Sequence, residues 1–203
     1  MPGRLFLTRP IAEVAGWLGV PDAPGQAARA NIQPGQPVVV LTPEGWREMR
    51  WGMIPVGRVN ARGRPVMETI INARSETVFD KSAFEGVRRG VVAVDGWYEW
   101  TGEKRKKTAW RIAAADGSPL IFAAIWDVWV AQGGRELAQV AMVTCAPNAD
   151  VEKVHHRMGV LLEPGDVATW MDGEEVAAKA LCRPWPEGRL VIDRAVGVDW
   201  TGA

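Results

Sequence analysis

The chain has 203 residues, 47% of them hydrophobic and 24% charged. That is enough apolar material for a folded core, and it excludes a disordered chain. The net charge is zero, yet residues 1–111 hold 17 Lys and Arg against 11 Asp and Glu, while residues 112–203 hold 7 against 13. A uniformly basic coat is excluded; the asymmetry reads either as a local phosphate-binding face in the first half or as plain segregation of surface charge. No apolar run approaches the roughly 20 residues of a membrane span, and no signal peptide is visible. Cys145 and Cys182 lack metal-site spacing and there are only two histidines, so no metal and no cofactor are expected. This predicts a reduced cytoplasmic protein in which both thiols are inert.

In chain order, Thr8 is placed to cap a helix with Pro10 in its first turn, and Ile11, Val14, Ala15 and Leu18 share a face. Residues 19–36, rich in Gly, Pro and Ala, read as a loop. Val38–Leu41 and Glu48–Ile54 read as strands around a Thr42-Pro43-Glu44-Gly45 turn. Residues 55–67, with Arg58, Arg62 and Arg64, read as an exposed basic loop. Ser75–Arg88 looks helical but irregular. Strands follow at Val91–Val94, Trp97–Trp100, Thr108–Ile112, Leu120–Val130 and Leu137–Thr144, with a charged hairpin tip at Gly102–Lys107. Asn148–Val154 suggests helical turns, Val160–Leu162 a strand, and Pro164 opens a helix interrupted at Gly173. Many short strands with peripheral helices predict one α+β domain over 1–203, mainly antiparallel, with a distorted β-barrel core.

Three polar clusters stand in strand-like or turn-like contexts: Asn72-Ala73-Arg74-Ser75-Glu76-Thr77, Asp95-Gly96-Trp97-Tyr98-Glu99-Trp100, and His155-His156-Arg157-Met158. They supply an amide, a carboxylate, an imidazole and two guanidinium groups, a set suited to acid–base chemistry on a polar or anionic ligand. Alternation puts Glu99 on the face of Trp97, where desolvation raises a carboxyl pKa. A structural tie from Glu99 to Arg111 or Arg157 is the alternative. Asn72 equally suits a turn residue, and a lone histidine is more often structural than catalytic.

With Gly3-Arg4, Asn31-Ile32-Gln33-Pro34, Trp51-Gly52-Met53-Ile54-Pro55 and Arg194-Ala195-Val196-Gly197, these clusters resemble the ordered motifs of the SOS response-associated peptidase (SRAP) family of abasic-site processing proteins. The resemblance implies a distorted antiparallel barrel. It also implies a monomer, cytoplasmic and associated with the nucleoid, that acts on abasic sites in single-stranded DNA or in junctions with a single-stranded arm. In that family Met removal exposes a Cys. Its amine forms a Schiff base with the ring-opened sugar, and its thiol then closes a stable cross-link. By the same resemblance, Asn72 positions the sugar, Glu99 handles protons near the N-terminal amine, and His155 acts as acid–base group at the sugar. Gly3, Arg4, Arg74 and Arg157 contact DNA, the arginines holding phosphates, and Pro34 and Thr144 line its groove.

The decisive departure is Pro2 in place of that Cys. Without a thiol no thiazolidine forms, but a Pro2 freed of Met1 carries a secondary amine. Such an amine condenses with an aldehyde to an iminium ion, an electron sink for β-elimination. The two readings are therefore a lyase-type abasic-site enzyme and a catalytically silent single-stranded DNA-binding module. A peptidase rests on the family name alone, since the chain shows no Ser-His-Asp pattern and no metal motif. Residues 56–69 carry no aromatic to stack on a base, and Gly159 and Ala93 replace family prolines, which predicts a looser backbone near the site.

Overall fold

A computed structural model describes residues 2–55, 69–103, 106–131 and 133–201. The strands are β1 (Arg4–Leu7), β2 (Arg29–Ile32), β3 (Pro37–Thr42), β4 (Gly45–Trp51), β5 (Asn72–Arg74), β6 (Arg88–Val94), β7 (Gly96–Thr101), β8 (Thr108–Ala114), β9 (Leu120–Val130), β10 (Glu136–Cys145), β11 (Met158–Gly159), β12 (Leu161–Leu162) and β13 (Leu190–Arg194). The helices are short: α1 (Ile11–Trp17), α2 (Ala149–Glu152), α3 (Val167–Asp172) and α4 (Glu175–Leu181).

Five strands close on themselves in the order β10-β4-β3-β6-β9, because β9 also pairs β10. This ring is the distorted barrel. It is antiparallel except where β10 runs parallel to β4 and, beyond it, to β5. The β-branched and aromatic run of β9, Leu120–Trp126, is buried throughout, since its two faces meet the ring interior and the surrounding layers. A second sheet, β13-β8-β7-β1-β2, packs beside the ring. The edge-to-face contact of Trp97 on β7 with Phe122 on β9, centroids 5.5 Å apart, joins them. The α+β, SRAP-like fold expected from the sequence is what the chain forms.

Several local expectations differ. The supposed loop 19–36 contains β2, held by pairing Leu5 with Ile32; a four-residue strand between turns gives little periodic signal. Ser75–Arg88 is a series of turns with one 3₁₀ turn at Ser82–Phe84, because Val78 and Phe84 anchor it to the core without a continuous apolar face. Thr8 does not cap α1: its N–H and hydroxyl both donate to Asp95 Oδ2 at 2.7 Å. The strand expected at Glu48–Ile54 begins at Gly45 and stops at Trp51, with Met53 making an isolated bridge to Ile70. Strand β13 was unforeseen; it pairs β8 from Leu190–Ala114 to Arg194–Trp110. The basic loop with Arg58, Arg62 and Arg64 lies outside the described residues, as do two positions of the hairpin tip.

Candidate active site

The second sheet brings Glu99 to the start of the chain. Strands β1 and β7 pair Arg4 with Tyr98 and Leu5 with Trp97, so one step further Glu99 lies opposite Gly3. On the other side of β1, the Leu5–Ile32 register carries Pro34 to the level of Gly3. Pro2 is buried and Gly3 half-buried. Alternation turns Trp97 and Glu99 toward the ring, while Tyr98 and Trp100 lie on the opposite face, packed against Trp200.

Asn72 arrives from the ring. Its strand β5 runs parallel to β10, pairing Asn72 with Met142 and Arg74 with Thr144. Its Nδ2 donates to the Pro2 carbonyl at 2.9 Å, and its Oδ1 is buried without a hydrogen-bond partner among the described residues. A half-buried amide that gives one N–H to Pro2 and keeps a solvent-shielded acceptor is suited to something that donates. An open cleft of about 710 Å³ begins here and passes Arg74, Thr77 and Lys81. A smaller cavity of about 140 Å³ between Trp17 and Trp185 includes none of the expected site residues.

Glu99 is 3% exposed. Burial raises its carboxyl to about 7, against the pull of the chain's α-amino group and a Trp97 hydrogen bond. The alternative partners are engaged elsewhere: Arg157 forks onto Glu76, and the Arg111 guanidinium lies 4.6 Å from the Phe6 ring centre. His155 follows α2, whose Asn148 side chain caps it by accepting from Val151 N–H at 3.0 Å. Burial, then the α-amino group, push its imidazole down to about 4, so it is neutral at pH 7. His156 is exposed and stacks on His155 at 4.3 Å.

The expected DNA-contacting residues divide. Arg74 is exposed at the cleft. Arg4 is half-buried, its Nη1 donating to the Gly3 carbonyl at 3.1 Å. Pro34 is half-buried beside exposed Gly35. Thr144 is fully buried, its hydroxyl donating to the Ala73 carbonyl at 3.2 Å, so it reaches the site through its neighbours. Arg157 is largely committed within the protein: Nη1 and Nη2 donate to the two Glu76 carboxylate oxygens, and Nη2 donates to the Thr144 carbonyl at 2.6 Å. Sequence reasoning missed the pairing of Glu76 with Arg157, although Glu76 lies inside the first of the three clusters. The backbone is not loosened at Gly159: a Cβ there would meet Phe122 Cε1 at 2.2 Å, so the ring occupies the space a side chain would need. Ala93 is likewise buried in β6. Cys145 and Cys182 are free, their thiols pushed by burial up to about 12 and 11, far from thiolate formation at neutral pH. Among the described residues no group of three or more His, Cys, Asp or Glu could hold a metal, and no helix is long and apolar enough to cross a membrane.

The SOS response associated peptidase (SRAP) family model matches residues 1–196. Abasic site processing protein YedK of Escherichia coli is 31% identical over 188 residues, covering 88% of this chain and 83% of that protein. Abasic site processing protein YoaM of Bacillus subtilis is 27% identical over 150 residues, covering 70% of this chain but only 65% of that protein. Abasic site processing protein HMCES of Gallus gallus is 30% identical over 165 residues, covering 68% and 49%. Among solved structures, a protein from Bacteroides thetaiotaomicron superposes with a TM-score of 0.82 at 19% identity, covering 96% of this chain and 92% of that one, which speaks for the fold. With a family match over residues 1–196, the protein belongs to the SOS response associated peptidase family.

Proposed function

We propose that the protein recognises abasic sites in single-stranded DNA, or in junctions with a single-stranded arm, and reacts with the sugar aldehyde through its N-terminal amine. The observation that carries this reading is the setting of Pro2. It is buried, its carbonyl is held by Asn72, and Glu99 lies one strand away with its carboxyl poised near neutrality. Removal of Met1 frees the Pro2 secondary amine. The nitrogen lone pair adds to the aldehyde carbon, and the carbinolamine loses water, its oxygen protonated by an acid. The resulting iminium is cationic and accepts the electrons left when a C2′ proton is removed. The 3′ phosphate then departs, and hydrolysis returns the amine. Glu99, raised to about 7, can give the proton that expels water and take one back near neutral pH. Neutral His155 serves the sugar oxygen. Asn72 orients the sugar, while Arg4, Arg74 and Arg157 oppose phosphate charge. The absence of a thiol at position 2 supports turnover in place of a stable cross-link.

The test is borohydride trapping of untagged protein on a single-stranded oligonucleotide with one abasic site, read by intact mass. An adduct lacking Met1 is expected, and an N-terminal tag removes it without removing DNA binding. Binding by anisotropy with no adduct sinks the amine chemistry and leaves a non-covalent DNA-binding module.

A further inference from the structure

Arg157 sits between two functional-looking groups and is spent on both. Its guanidinium is gripped by both oxygens of Glu76, Nη2 to Oε2 at 2.8 Å, and Nη2 also reaches the Thr144 carbonyl. Its backbone N–H donates to His155 Nδ1 at 3.0 Å. The Ser75 N–H donates to the same Thr144 carbonyl at 2.8 Å, so Glu76 is itself fixed to β10 by the residue before it. Glu76, Arg157 and His155 thus form one chain of contacts ending at the site. Fork-to-fork arginine–carboxylate pairing is directional, which a single-point ammonium contact is not.

The Arg157 backbone offers His155 Nδ1 two groups from the peptide units on either side of its Cα: its N–H at 3.0 Å and its carbonyl at 3.2 Å. An amide N–H can only donate, so the shorter contact calls for Nδ1 as acceptor and the ring proton on Nε2, whereas the carbonyl contact calls for the proton on Nδ1. A proton on Nδ1 would stand against the amide hydrogen. Small rotations of residue 157 would exchange these two arrangements, so whatever holds Arg157 selects the tautomer.

We propose that Glu76 is a positioning residue: by clamping the Arg157 guanidinium it fixes the Arg157 peptide, and through it holds His155 as the Nε2–H tautomer with its donor toward the site. The catalytic importance of this arrangement rests on the abasic-site reading above, whereas the positioning itself does not.

The experiment is 15N NMR of the histidine side chains in the full-length protein without DNA, with His156→Gln to assign the two rings. Trapping on the abasic oligonucleotide runs in parallel. Wild type shows a single Nε2–H pattern for His155. Glu76→Ala, or the milder Glu76→Gln should Ala fail to fold, shifts His155 toward a tautomer mixture. Glu76→Asp restores the pattern in part, and Arg157→Lys does not. The trapping rate falls roughly 10- to 100-fold in step with the lost tautomer, the size expected of a misplaced catalytic group. An unchanged wild-type pattern in the folded Glu76 variants overturns the inference whatever the DNA assay gives. A lost tautomer supports the positioning; if wild type then forms no adduct, the abasic-site chemistry alone is refuted.

Discussion

Asp95 and Glu99 stand four residues apart at the two ends of one short stretch, both nearly buried, at 6% and 3% exposure. Their environments make them opposites. Asp95 receives the Thr8 N–H and hydroxyl, the Arg9 N–H and the Arg9 Nε, while Arg9 is steadied by Glu13 and the Gly117 carbonyl. Burial pulls its carboxyl up, but the Thr8 and Arg9 donors outweigh that and hold it below the usual range. Glu99 lies among indoles with far less compensation and rises to about 7. The lesson is that burial alone does not make an acid–base group. A carboxylate met by several donors stays ionised, whereas one on which burial dominates is held near neutrality.

The contrast can be broken most sharply at Asp95. Asp95→Ala strands the Thr8 and Arg9 donors and is expected to lower stability by about 3–5 kcal/mol, the range for removing one member of a buried pair; a denaturant midpoint within error of wild type would refute the anchor role. Glu99 moves in the other direction with pH. Its folded pKa is above the unfolded value, so its stabilising effect is full below about 4.5 and lost as pH rises through about 7. Glu99→Gln should therefore gain on wild type by up to about 3 kcal/mol at pH 8 and match it near pH 4. Parallel pH–stability curves for the two proteins would remove Glu99 from the comparison. The smallest effect is at Thr8: Thr8→Val deletes one of several Asp95 hydrogen bonds and should cost about 1 kcal/mol by thermal or chemical unfolding, with the Asp95 pKa, followed by NMR, moving upward.

Much of this was legible in the sequence because the motifs are contiguous. Alternation alone put Glu99 on the face of Trp97, and the long apolar strands β9 and β10 announced themselves by composition. What was not legible depends on partners distant in the chain. Strand β2 exists because Leu5 pairs Ile32, and β5 because Asn72 meets Met142 in parallel; neither three- nor four-residue segment carries a period of its own. Thr8 looked like a helix cap because a cap needs only local residues, whereas its actual partner is Asp95, 87 positions away. Glu76 was visible inside its motif, but the ion pair to Arg157, 81 positions on, is a tertiary fact. Gly159, read as a loosening of the backbone, is instead a packing requirement set by Phe122.

Strand β1 occupies an interior position between β2 and β7, and this has a bearing on how the protein is made. β1 is synthesised before its partner β7, which follows roughly ninety residues later, since Leu5 pairs Trp97. At about 5–20 residues per second that is a delay of about 5–20 s. Until β7 arrives, the residues ahead of β1 are open to processing enzymes; once it docks, Pro2 is buried. The order of synthesis thus leaves the segment around Pro2 uncovered for that interval, and slower elongation would lengthen it.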